Sequence, residues 1–152
     1  MYLVVILALM VVLPVASAVV EMWGTAADPA LAAARWFTFW AVGVRLLSAG
    51  LRQVIQPSFT AVTIFRIADP AAGKLVTEIG FGNLAMGSIA TLSLFLPAWV
   101  IPAGLAGGLY LGMAGVKHLL NKGRSPEENV AMVSDLFVAA VLAVSFAALE
   151  WR

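Results

Sequence analysis

The sequence contains no cysteine and one histidine, His118. The first absence removes disulfides, thiolate metal sites and cysteine nucleophiles. The second leaves any metal site to carboxylates, and no metal or other cofactor is expected. Charge is also scarce, at 11% of residues against about 25% in a soluble domain. Nine Lys and Arg against eight Asp and Glu give a net charge of +1. Such a balance provides no clustered basic face for nucleic acid. Nucleophile machinery is missing too. There is no Gly-x-Ser-x-Gly elbow. Ser134 and Asp135 are adjacent, and neighbours on a helix point about 100° apart, so they are not two members of a triad. Gly80-x-Gly82 lies inside an apolar stretch with no preceding strand, which rules out a dinucleotide fingerprint. A non-enzymatic role fits better than an enzymatic one.

What is abundant is apolar sequence: 62% of the chain, with a mean hydropathy of +1.00. Too few polar residues remain to coat a soluble globule. The composition therefore predicts an all-α integral membrane bundle in one domain, with five spans over about 2–20, 35–55, 74–96, 98–120 and 130–149. The first run lacks a basic n-region ahead of its signal-like Ala16-Ser17-Ala18 and reads as a retained span kinked at Pro14. Asp28-Pro29, Asp69-Pro70 and Ser125-Pro126 each pair a capping side chain with a proline, opening helices 2, 3 and 5. Ser125 and Glu128 have capping-box spacing. Between helices 2 and 3, residues 57–68 are too short to span and read as an interfacial or re-entrant segment. Gly123 should cap helix 4, and Glu150-Trp151-Arg152 should form an interfacial end. Trp36, Trp40, Trp99, Trp151 and Tyr110 read as interface anchors and packing. Arg52, Arg66, Lys74, Lys117, Lys122 and Arg124 fall near one set of helix ends. By the positive-inside rule this predicts a multi-pass protein with its N-terminus cytoplasmic and its C-terminus outside.

Several polar residues sit within the apolar runs, where they mark function or a buried partner. Arg45, Ser48, Arg52 and Gln56 share a helical face. Counted inward from the caps at about 1.5 Å per residue, Arg45, Glu78 and Asp135 reach similar depth. Arg52 and His118 fall shallower, and Asn83 deepest. Arg45 is expected to make a bidentate bond to Glu78 or Asp135. A structural ion pair fixing helix register is one reading of this layer. A ligand or proton site formed by Arg45, Arg52, Glu78, Asn83, His118 and Asp135 is the other. A metal on Glu78, Asp135 and His118 fits less well, because His118 lies a turn too shallow.

Gly104, Gly108, Gly112 and Gly115 form a small-residue stripe on helix 4. It serves packing within the bundle or meets a second copy or a membrane partner. Gly80, Asn83 and Gly87 share one face of helix 3, with Glu78 about 140° away. Helix 3 is therefore expected to contact neighbours on two sides and to be central.

Glu78-Ile-Gly80-Phe-Gly-Asn83-Leu84-Ala85-Met-Gly87, followed by Gly112, His118 and Asp135, resembles the central motif of an uncharacterised prokaryotic family of small polytopic membrane proteins. More distantly, it is similar to the DoxX-like four-helix proteins. The first likeness implies a prokaryotic cytoplasmic (inner) membrane, and neither likeness implies a reaction. The residues point to a small membrane protein that binds or conducts a small solute, proton or lipid-like ligand at a charged site near the cytoplasmic side. The other reading is a non-catalytic subunit or assembly factor held together by its charges.

Overall fold

The computed structural model describes residues 2–150 and the side chains of 3–149, so the expected interfacial end at Trp151 and Arg152 lies outside the described residues. The described residues form helices and turns with no strand. Five helices are long and apolar enough to cross a membrane: α1 (Leu3–Thr25), α2 (Pro29–Ile55), α3 (Ala72–Leu92), α4 (Pro97–Leu120) and α5 (Pro126–Leu149). A short helical connector, 57–64, joins α2 to α3.

The helix starts follow their capping chemistry. Asp28 accepts from the amides of Ala30 and Leu31 at 2.9 and 3.1 Å. Ser125 accepts from the amide of Glu128 at 3.0 Å, and the Glu128 carboxylate returns a bond to the Ser125 backbone, which completes the capping box. Asp69 behaves differently. Its side chain accepts from the amide of Ala71 at 2.8 Å within a turn, and the helix begins at Ala72. The far end of α3 stops at Leu92, four residues short of expectation. Leu96 precedes Pro97 and is extended (φ −123°, ψ 81°), as the proline ring demands. Pro14 is matched by a wide π turn over Ala8–Val12, which accommodates the missing N–H. Gly123 has φ +86° beyond the end of α4. Arg124 spans that end, donating from Nη1 to the carbonyls of His118, Leu119 and Asn121.

The central helix is α2, not α3 as expected. Within its most apolar stretch 44% of α2 is buried, against 28% of α3. One side of α2 supplies Phe37, Ala41, Val42 and Leu46 to the main core, which also holds Met10 of α1, Leu111 of α4 and Val138, Leu142 and Phe146 of α5. Its other side carries α3 through paired glycines. At Gly80 the carbonyl of Gly50 lies 3.1 Å from where a Cβ would stand, and at Gly87 the carbonyl of Gly43 lies 3.0 Å away. Four glycines thus let two backbones meet along one seam. The helix 4 glycines pack inside the bundle for the most part: Gly104 faces Thr38 and Phe146, Gly107 faces Val42 and Gly115 faces Leu136. Gly108 and Gly112 border an apolar groove of about 620 Å³ between α4 and α5.

At the end of the bundle where α1 leads into α2, Glu21 binds Arg35 and accepts from Trp36 Nε1 at 2.7 Å. Trp40 Nε1 donates to Ser17 at 3.1 Å. These two indole N–H groups tie α1 to α2 at that end.

Candidate functional site: an intramembrane cavity

The start of α1, the second half of α2, the connector and parts of α3, α4 and α5 enclose a partly open cavity of about 540 Å³. That volume lies within the roughly 300–1,000 Å³ range of small-molecule pockets. Five of the six expected site residues line it: Arg45, Arg52, Asn83, His118 and Asp135. The walls between them are largely apolar, with Ile6 and Leu9 from α1, Phe59 and Phe65 around the connector, and Met86 from α3.

Each polar side chain is placed by a feature of its helix. Arg45 follows an eight-residue π segment, Phe37–Val44, which sets the rotation of the polar face of α2. The arginine does not form the expected bidentate pair. Its Nε is buried without a hydrogen-bond partner. Arg52, one face-repeat further on, lies over the Phe59 ring with Cζ 3.6 Å from the centroid, a cation–π contact between α2 and the connector. Asn83 is 3% exposed. It donates through Nδ2 to Gln53 Oε1 at 2.7 Å and lies beside the Tyr110 hydroxyl, while its Oδ1 has no partner. Asp135, 4% exposed, also leaves Oδ1 unpartnered. No ion pair joins Asp135 to any arginine among the described residues. His118 is fixed by Glu128, with Nδ1 2.9 Å from Oε1, and Asn121 donates to the same oxygen at 2.7 Å. The Glu128 carboxylate therefore occupies Nδ1 and leaves Nε2 for the cavity.

Glu78 is the exception. It is exposed on the outer surface of α3 and does not line the cavity. The glycine seam accounts for this. Gly80 and Gly87 turn their face toward α2, Asn83 comes inward with them, and Glu78, about 140° around the helix, turns outward. Asn83 thus belongs with Arg45 and Asp135, and Glu78 does not. Tyr110, read as an anchor, lines the cavity, as do Gln53 and Lys117. Gln53 was legible as the neighbour of a polar stripe; Tyr110 and Lys117 carried no comparable signal. Glu128 drew notice only as a cap, and its grip on His118 depends on the turn between α4 and α5. No cluster of three His, Asp or Glu suited to a metal occurs among the described residues.

Comparison of the chain with protein-family models, curated proteins and solved structures returned no match.

Proposed function

We propose that the protein is a membrane-embedded binding protein whose cavity takes one small or lipid-like ligand, with Arg45, Arg52, Asn83, His118 and Asp135 as its polar contacts. One observation carries this reading: among the described residues the buried polar groups around the cavity are joined by no ion pair, although Arg45 is near enough to Asp135 to act on its carboxylate through space. Charges serving as structural glue should be paired, since an unpaired buried polar group costs about 1–3 kcal/mol. Here Asp135 Oδ1, Asn83 Oδ1 and Arg45 Nε are all buried and unpartnered around one void. By the positive-inside rule, we place the basic helix ends and the neighbouring cavity on the cytoplasmic side of a prokaryotic inner membrane. Membership of the family with the Glu-x-Gly-x-x-Asn-Leu motif is part of this reading, but adds no reaction to it.

The subunit reading keeps one observation of its own, the apolar groove along Gly108 and Gly112 between α4 and α5.

The test compares two variants. Asp135→Leu removes the unpartnered carboxylate and should raise the melting temperature of the purified protein. A fall corresponding to about 3–5 kcal/mol, as when one partner of a buried ion pair is removed, would instead assign the acid to structure. Gly82→Phe fills the cavity from a lining position where an added Cβ meets nothing within 4 Å. It should fold normally and lose any co-purifying molecule seen by native mass spectrometry in the wild type.

A further inference from the structure

The unsatisfied groups around the cavity are of two kinds, and together they describe a ligand. Arg45 and Arg52 donate no hydrogen bond to any protein acceptor among the described residues. An arginine offers five N–H donors in a planar fork matched to carboxylate and phosphate oxygens. The two guanidinium groups, that of Arg52 held only by its contact with the Phe59 ring, lie seven positions apart on one face of α2 and line one cavity, which defines a place for an anionic oxygen group. Deeper in, the free groups are acceptors: Asp135 Oδ1 and Asn83 Oδ1, on residues 4% and 3% exposed. A simple anion would leave those acceptors unmet and would face the Asp135 carboxylate.

We propose that the ligand's polar end is a zwitterion. Its phosphate or carboxylate lies against Arg45 and Arg52, and its N–H-bearing ammonium donates to Asp135 and Asn83. This rests on the reading of the cavity as a ligand site. The apolar walls from α1 and the connector leave room for the first part of a hydrocarbon chain. The chemistry is that of an ethanolamine phospholipid headgroup or of a free phosphoethanolamine-like solute.

The two sources and the role of the N–H donors separate in one set of binding measurements. Purified full-length protein in detergent is titrated with phosphatidylethanolamine, phosphatidylcholine and phosphatidylglycerol of identical acyl chains, and with phosphoethanolamine as competitor. Choline has no N–H donor, and glycerol has no positive charge. Phosphatidylethanolamine should bind about tenfold or more tighter than either of the others, the scale of one charge-assisted hydrogen bond. Asp135→Asn should bring the ethanolamine-to-choline ratio close to one. Arg45→Gln should weaken both lipids together. Competition by phosphoethanolamine at matching concentration assigns the site to a soluble zwitterion, and lack of competition assigns it to the lipid. Equal binding of ethanolamine and choline lipids by the wild type overturns the proposal, as does a preference that survives Asp135→Asn or a stronger preference for phosphatidylglycerol. If such unselective binding is still blocked by Gly82→Phe, the cavity stays a ligand site and only the zwitterion is lost. If neither lipid nor phosphoethanolamine binds the wild type, the cavity reading falls with it.

Discussion

Ala26 ends α1 in the left-handed region, with φ 54° and ψ 32°, its amide bonded to the Met22 carbonyl at 3.1 Å. A non-glycine residue in that conformation costs about 1–2 kcal/mol. Ala26→Gly should therefore stabilise the protein by up to about 1 kcal/mol, after glycine's larger loss of freedom on folding is subtracted. Unfolding in mixed micelles would measure the gain. No residue type at position 26 announced this cap, and Gly24 two residues earlier pointed elsewhere. Single residues were legible where their chemistry is local. Asp28, Ser125 and Glu128 cap helices because their side chains reach amides two or three positions away. The partners of His118 and Asn83 were not legible, because Glu128 and Gln53 come from other helices.

At the scale of the helix, the seam between α2 and α3 makes neighbouring glycines behave oppositely. At Gly50 an added Cβ would lie 2.7 Å from the Gly80 carbonyl and 2.9 Å from the Leu84 side chain. Gly50→Ala should cost about 1–3 kcal/mol, the range for overpacking. Gly82→Ala meets open space and should stabilise α3 by about 0.5–1 kcal/mol through helix propensity. Thermal melts of the two variants would show opposite signs. The same seam explains the one misplaced residue of the expected site. Periodicity gave α3 two polar faces, and both Glu78 and Asn83 had a claim to the interior. What decides between them is how closely backbones approach at Gly80 and Gly87, and that requires knowing that Gly43 and Gly50 face them from α2. The π segment Phe37–Val44 is a second reason. Counting at a constant 100° per residue does not hold through it, so periodicity relates Arg45 to Ser48 and Arg52 beyond it but not to the first half of the helix.

For the whole molecule, the number of spans and the all-helical architecture follow from apolar run lengths and three proline-marked starts. The arrangement of the five helices does not, because the main core and the cavity are both built from contacts between distant segments. Topology is open to direct test, since the chain has no cysteine and each introduced thiol is unique. Gly24 and Lys122 are both exposed and lie at opposite ends of the bundle. In intact cells an impermeant maleimide should label Gly24→Cys and spare Lys122→Cys until the membrane is opened. The reverse pattern would invert the orientation and move the cavity to the outer side.

Because the cavity draws on every helix, it is completed only by the last one synthesised. Arg45 enters the membrane with the second helix, and Asp135 follows roughly 90 residues later, an interval of roughly 5–20 s at about 5–20 residues per second. Throughout that time the arginine has no acid opposite it in the bundle. Arg45 lies ten residues before the helix end at Ile55, about 15 Å at the α-helical rise, so only by snorkelling along its long side chain would it approach a headgroup phosphate. A headgroup drawn to Arg45 in that interval would be enclosed when the fifth helix arrives.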